Sequence, residues 1–366
     1  MRYILLNKNQ MLLEFNLKGT LVDELRMLGH KELLPEILKS GKEAALQHWL
    51  GTRGIDTTRT NARVLLSELK LKSDRVSAVV FNKGLNMTDC YWIKDTQKDG
   101  DMTFEDVSLY RKINIKSISA LSISGRAARV PTSINHEITN IGSFNKAWIK
   151  EDGAWWLYKT GSIYNNYAEL FTFYLGKYLG MDMAIYKYAV NPEVNANEHL
   201  IASLNFTSED YMLEHYDSFR YRFEDVGLED DEVIMNNLRE VGLNGAYENM
   251  LMLDALVANT DRHEFNFGVL KKVDTGEVVG FAPCFDHNLA LNAHLNNGEP
   301  IGLGLYKLCK RTVGIAHMKA FLKEMSIEDI YEIDKKVRQT LRTDLEFKFV
   351  IDYFNNILQD LKNSDN

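Results

Sequence analysis

Asp261, Asn266 and Asp286 are the residues of this chain whose types and spacing best fit a chemistry. The first two stand in Asn259-Thr260-Asp261-Arg262-His263-Glu264-Phe265-Asn266-Phe267-Gly268, an Asp and an Asn five apart, and Phe285-Asp286 ends twenty residues after Asn266. Phosphoryl transfer calls for such a set: one carboxylate for the acceptor hydroxyl, then an amide and a second carboxylate for the metal that carries the nucleotide phosphates. Oxygen ligands of this kind suit Mg²⁺, which keeps several waters and takes phosphate oxygens as its remaining ligands. Read singly, each residue is an ordinary loop residue that an Asx turn explains.

The flanking pattern is what brings them together. Met250, Leu253, Leu256 and Val257 repeat at helical spacing and predict a helix ending near Asn259. Asp261 then falls in the loop beyond it. Phe267 to Lys271 alternates like a strand, Asp274-Thr275-Gly276 signals a turn, and Val278 to Phe285 returns as an apolar strand. Paired strands there would bring Asn266 and Asp286 close.

Upstream, Gly142-Ser143-Phe144-Asn145-Lys146 reads as a small loop leading into a hairpin, Ala147 to Lys150 and Ala154 to Lys159. Backbone N–H groups in such a loop can hold phosphate oxygens, and a strand lysine, Lys159, can neutralise them. Ten residues on, Glu169 borders the apolar face of a helix marked by Tyr167, Leu170, Phe171, Tyr174, Leu175 and Tyr178. It could pair with Lys159, as the strand lysine and helix glutamate of protein kinases do. Alone, Lys159 is a strand-end lysine and Glu169 a helix-surface carboxylate. Loop, lysine, glutamate, then Asp, Asn and Asp is the order along a kinase-like chain.

On these pieces the sequence resembles the HipA-like serine/threonine kinases, the toxin kinases of bacterial toxin–antitoxin systems and their relatives. The matching residues are Asn259-Thr260-Asp261-Arg262-His263 with Asn266-Phe267, Phe285-Asp286, Leu157-Tyr158-Lys159, and the Glu169 helix ending at Leu179-Gly180-Met181. His199 to Phe206 is similar to the strand entering the hinge between lobes. The resemblance spans about residues 130 to 350.

The resemblance implies an α+β, two-lobed protein-kinase-like fold, with a β-rich N-lobe, a helical C-lobe and ATP with Mg²⁺ between them. It implies γ-phosphoryl transfer to a protein serine or threonine. Asp261 would be the catalytic carboxylate, Asn266 and Asp286 the metal ligands, and Lys159 the phosphate contact with Glu169 as partner. Leu204, Asn205 and Phe206 would face the adenine. His263 would order the catalytic loop or assist proton movement. The family also implies autophosphorylation of the phosphate-binding loop, at Ser143 or at Thr139 just before it; the added charge would clash with bound ATP. It further implies an antitoxin-like partner, with DNA binding left to that partner, so that no direct nucleic-acid contact is expected of this acidic chain.

The chain departs from the family pattern in three places. The loop differs from the commoner Gly-x-Gln-x-Lys, Asp286 is followed by His287-Asn288 rather than glycine, and Trp155-Trp156 make the lysine strand bulky. Asp-Arg-His-x-x-Asn with a later Asp also resembles phosphatidylinositol kinases, which leaves a lipid or small-molecule acceptor as an alternative. A non-catalytic binding module is the third reading, and retention of all five polar residues argues against it.

Composition sets the remaining bounds. With 43 basic and 51 acidic residues the net charge is −8, so an anionic bilayer would not attract the chain strongly. No apolar run approaches a membrane span, and Met1 to Lys8 lacks a signal-peptide core. Cys90, Cys284 and Cys309 are too few and scattered for a disulfide framework or a zinc site, which reads as cytoplasmic. The expected organisation is an α/β accessory region over residues 1–115, a connector and N-lobe over 116–206, and a helical C-lobe over 207–366. Within the first, two strands are expected over 4–16, helices over 32–50 and 61–69, and a charged loop over 94–106. Ile115 to Thr139, with Arg126 and Arg129, reads as a flexible connector. Helices are expected over 317–325 and from Ser326, with a final stripe from Phe347 to Leu358.

Overall fold

A computed structural model describes residues 1–54, 67, 75–111, 144–189, 200–226, 231–293 and 301–364. Among the described residues, three antiparallel sheets are set among helices, a mixed α/β architecture. The first sheet has the order β3-β2-β1-β4, from β1 (Arg2–Asn7), β2 (Gln10–Lys18), β3 (Leu21–Met27) and β4 (Tyr91–Asp95). The second has the order β5-β6-β8-β7, from β5 (Lys146–Glu151), β6 (Ala154–Thr160), β7 (Tyr186–Ala189) and β8 (Leu200–Leu204). The third has the order β11-β10-β9, from β9 (Tyr211–His215), β10 (Gly268–Lys272) and β11 (Val278–Phe281).

The two strands expected over 4–16 are present as β1 and β2. The helix expected over 32–50 breaks into 3₁₀ turns at Lys31–Leu33 and Glu36–Ser40 before α1 (Glu43–Thr52). Pro35 lies between the two turns and lacks the N–H that a continuous helix needs. The charged loop over 94–106 is entered from β4 and left at a short helix, Phe104–Val107, closed by a Thr103–Asp106 capping box. The helix expected over 61–69 and the connector with Arg126 and Arg129 lie outside the described residues.

The long helix carrying Glu169 runs Ile163–Tyr178 and is started by a reciprocal Ser162–Asn165 cap. Gly176 lets it approach Met183 closely: a Cβ there would sit 2.4 Å from the Met183 sulfur. The helix before the Asn259–Gly268 segment spans Asn244–Leu256. The C-terminal helices at Gly304–Val313, Ile315–Leu322, Ile327–Leu341 and Lys348–Asn363 pack with both into one large apolar core. The Ser326 start is a capping box with Asp329, and Val350, Ile351, Phe354 and Ile357 form the buried stripe.

A second core holds the front third together and takes in Met212 of β9 and Val273 after β10. The third sheet is therefore packed against the first 111 residues as well as against the helices. Asn7 donates to the Val273 carbonyl at 2.6 Å. Gly276, in the β10–β11 turn, has φ +69, and a Cβ on it would lie 2.1 Å from the Glu32 carbonyl. Gly276→Ala is expected to cost at least about 1–3 kcal/mol through the left-handed backbone alone. Gly280→Ala, with open space around it, should change far less. Urea denaturation of the two variants checks this.

All three cysteines are buried and free. Among the described residues, no helix is long and apolar enough to cross a membrane.

Candidate active site

The hairpin places the motif residues as their spacing requires. In the β10–β11 register Val269 faces Phe281 and Leu270 faces Gly280, so the residues before β10 and after β11 end on one side. β11 is shorter than expected because a bulge follows Leu270 and the chain leaves the sheet after Phe281. Lys159, Asp261, Asn266 and Asp286 all line one cavity of about 520 Å³. Leu204 and Phe206 line it too, as do Phe144, Lys146 and His263.

Asp261 follows the helix through an Asn259 turn, and the Asn259 side chain accepts from the Asp261 N–H at 3.3 Å. Asn266 returns its amide N–H to the Asp261 carbonyl at 2.9 Å, which leaves its oxygen as the ligand atom. Burial raises the Asp261 pKa; His263 opposes this and Asp286 adds to it. A carboxylate raised in this way is a better proton acceptor than a solvated one. The Phe265 N–H donates to His263 Nδ1 at 3.2 Å, so His263 orders the loop locally.

Lys159 is held differently from the expected pairing. Its ammonium bonds Asp286 Oδ1 at 2.6 Å, and no direct ion pair with Glu169 forms. Glu169 is also not at the border of its helix face but fully buried. Its Oε2 accepts from the His287 N–H at 3.1 Å, and it bonds the Tyr186 hydroxyl, which in turn accepts from the Asp286 N–H at 3.1 Å. The glutamate thus fixes the Asp286–His287 backbone and reaches Lys159 only through charge. Asp286 itself adopts φ 63, which aspartate tolerates better than most residues.

Lys146 is the first residue of β5 and sits directly across from Lys159. Both are 5% exposed, so two ammonium groups from a cross-strand pair face the cavity. Burial works to raise Asp286, but Lys159 and then Lys146 overcome it and hold its carboxyl well below the usual range. Gly142, Ser143 and Thr139 lie outside the described residues, as does His199.

Sequence reasoning gave no role to the group that locks these parts together. Arg262 bonds Asp254 through Nε at 2.7 Å and Nη2 at 2.9 Å. Its Nη1 donates to the carbonyls of Asn266 at 2.7 Å and Phe285 at 3.0 Å, and its Nη2 meets His287 Nε2 at 2.8 Å. One guanidinium therefore ties the helix, the Asn266 turn and the Asp286 segment. The available signal was Asp254, an acid inside the apolar spacing of Met250, Leu253 and Val257.

His287 is 1% exposed, and burial, then Arg262, pushes its pKa down to about 3. It stays neutral in the fold while the unfolded chain takes up a proton below about 6.5. Stability should therefore fall as pH drops from about 6.5 toward 3, by roughly 1.4 kcal/mol per unit for this group. Urea midpoints between pH 7 and 5 would show it, and His287→Gln should flatten the slope.

The donors suit the groups that phosphoryl transfer uses. Asp286 and Asn266 offer one carboxylate and one amide oxygen, a hard set that suits Mg²⁺. Buried polar atoms without a partner occur around the same place: Asn145 Oδ1, Glu169 Oε1 and His215 Nδ1.

No protein-family model matches the chain. No curated protein matches it either. Among solved structures, HipA of Shewanella oneidensis MR-1, from a toxin–antitoxin complex with HipB and its operator DNA, aligns with a TM-score of 0.60 at 13% identity, covering 98% of this chain and 96% of that chain. The Helicobacter pylori proinflammatory kinase CtkA aligns with a TM-score of 0.38 at 14% identity, covering 59% of this chain and 95% of that chain. The fold is that of HipA-like kinases. The expectation of no direct nucleic-acid contact is not borne out: the HipA structure is of a complex with HipB and its operator DNA.

Proposed function

We propose that this chain is an ATP- and Mg²⁺-dependent serine/threonine protein kinase with a two-lobed arrangement. The observation that carries the reading is the convergence of Lys159, Asp261, Asn266 and Asp286, from well-separated segments, on one cavity beside the Leu204–Phe206 strand end. In this reading residues 116–206 are connector and N-lobe, and 207–366 are the C-lobe, which carries the third sheet besides its helices. Residues 1–115 are the accessory region.

Bound Mg²⁺ would neutralise phosphate charge, held by Asp286 and Asn266. The chain's own residues do the rest. Lys159 and Lys146 bind the phosphates, with Asp286 as the counter-charge that keeps Lys159 aimed inward. Glu169 positions Asp286 through the Tyr186 hydroxyl and the His287 N–H. Leu204 and Phe206 exclude water from the base. Asp261 takes the proton of the serine or threonine hydroxyl as the oxygen attacks the γ-phosphorus. ADP leaves with the electron pair of the broken bond, and the acceptor carries the phosphoryl group.

The reading includes self-phosphorylation at Ser143 or Thr139 and a partner resembling an antitoxin, as HipB accompanies HipA in the structure above. It places the protein in the cytoplasm. Intact-mass spectrometry after incubation with ATP and Mg²⁺ tests it. A gain of one phosphate that the Ser143→Ala, Thr139→Ala double variant loses supports the reading with its loop site. Nucleotide binding without labelling of this chain or of any protein acceptor would overturn the protein-kinase assignment.

A further inference from the structure

One wall of the cavity is made by Thr52, Asn86 and Thr88 of the front third. The same region also holds on to both halves of the cleft. On the side of the two lysines, the Tyr110 carbonyl accepts from Lys150 Nζ at 3.2 Å and from Trp155 Nε1 at 3.3 Å. Lys150 and Trp155 face each other in the β5–β6 register, on the strands that carry Lys146 and Lys159. On the side of Asp261, the Glu36 N–H donates to Glu214 at 2.6 Å, and His48 Nε2 lies 2.9 Å from Asp217 Oδ2. The Asp217 N–H in turn donates at 3.2 Å to the carbonyl of Glu264, which stands between Asp261 and Asn266.

The crossing between the halves is gripped as well. Residues 205–210 join β8 to β9. The Met87 carbonyl accepts from Asn205 Nδ2 at 3.2 Å, from Thr207 Oγ1 at 2.9 Å and from the Tyr110 hydroxyl at 2.8 Å. Arg111 forks onto Glu209 through bonds of 2.8 and 2.7 Å, and Ser108 donates to the same carboxylate at 2.6 Å. Independently, the helix carrying Glu169 is built into the C-terminal helices. Its Tyr167 stacks on Phe347 with ring centroids 3.6 Å apart and donates to Asp334 Oδ1 at 2.8 Å.

Parts of a chain joined by a short connector move against each other unless a large apolar interface holds them. A hinge also needs connector residues that are free to change their backbone angles. Neither condition for motion is met. The connector is bonded at Asn205, Thr207 and Glu209. The apolar core of the front third takes in Met212 and Val273 from one half, and Trp148 and Trp155 from the other pack against it. We infer that the front third is a strap that fixes the width of the cleft. It holds the Lys146–Lys159 hairpin at a set distance from the Asp261–Asn266 loop, so that a nucleotide enters without closure of the two halves. Entry of a nucleotide rests on the two-lobed kinase reading above; the strap itself can be tested without any ligand.

Nitroxide labels at Asp152→Cys, in the exposed β5–β6 turn, and at Glu240→Cys, at the exposed end of helix Asp231–Glu240, report the distance between the halves by pulsed electron paramagnetic resonance. The three native cysteines are buried and escape labelling. The full chain should give one narrow distance distribution, with no shift when the β,γ-imido analogue of ATP is added with Mg²⁺. Lys150→Met combined with Trp155→Phe removes both donors to the Tyr110 carbonyl and keeps most of the apolar contact. It should broaden the distribution and allow a shift with the analogue. Melting temperatures identify a double variant that has lost its fold, and Thr207→Val, which removes one bond to the Met87 carbonyl, then takes its place. A shift of the wild type with the analogue overturns the strap, as does a folded variant whose distribution stays as narrow as the wild type's. Calorimetry on the same samples separates the two failures. A wild type that binds no nucleotide ends the kinase reading, while the widths measured without ligand still decide the strap.

Discussion

Asp261→Asn should lower the rate of phosphoryl transfer by about 10²–10⁴-fold, the usual contribution of a positioned proton acceptor. ATP affinity should hardly change. The substitution keeps the shape of the side chain and leaves the backbone carbonyl that Asn266 grips at 2.9 Å. Lys159, Lys146 and Asp286, which hold phosphates and metal in the proposed mechanism, are untouched. The distinguishing measurement is a pair: single-turnover rate with saturating ATP, and ATP binding by calorimetry. A large fall in the first with a constant second supports Asp261 as the base. A pH profile sharpens the test. Burial raises this carboxyl, so the acidic limb of the wild-type rate should lie above the ordinary aspartate range and vanish from the residual rate of the variant. A fall in affinity that matched the fall in rate would instead place Asp261 among the binding groups.

Arg262→Ala should have the largest effect on folding. The guanidinium is buried, and burial opposes its charge, yet Asp254 holds the proton on firmly. Removal leaves a nearly buried Asp254 carboxylate unpaired, together with two backbone carbonyls and His287 Nε2. Breaking a buried pair from one side costs about 3–5 kcal/mol. Urea denaturation measures that loss. Arg262→Lys keeps a charge but not the planar fork, so it should recover only part of the stability. Asp254→Asn should be milder than Arg262→Ala, because an amide can still accept from the guanidinium. Equal stability of Arg262→Ala and the wild type would remove Arg262 from its place as the lock of the site.

Much of the site was legible because its residues obey local spacing. Period-two alternation around Asp274-Thr275-Gly276 predicted a hairpin, and the hairpin determines which residues meet at its open end. Ser326 and Asp329 announced their helix by the cap they form. What escaped depended on contacts distant in sequence. Glu169 lies on a helix whose apolar spacing suggested a border position; the packing of β7 and of the Asp286–His287 segment over it made it fully buried. The lysine then bonds Asp286, 127 residues away. No local pattern can rank two carboxylates that both approach one ammonium. Lys146 belonged to the loop by sequence and to β5 by register, and only strand pairing shows that it stands across from Lys159. The front third offered no motif at all, and its share of the cavity arises from docking between parts far apart in the chain.

The Lys271 side chain has no exposure at all. It bonds Glu214 at 2.8 Å and lies 3.6 Å from Glu36, which belongs to the front third. Glu214 Oε1 also accepts from the Glu36 N–H at 2.6 Å and the Ser218 hydroxyl at 2.6 Å. Such a cluster tolerates no partial dissolution. If residues 1–111 detached, Glu214 would lose the Glu36 N–H, and Met212 and Val273 would be bared to water. The boundary near residue 115 that sequence suggests is thus no boundary of stability. Front third and third sheet should melt as one cooperative unit, and native-state hydrogen exchange should give β1 and β10 the same opening free energy. A fragment starting at the connector would then be prone to aggregate.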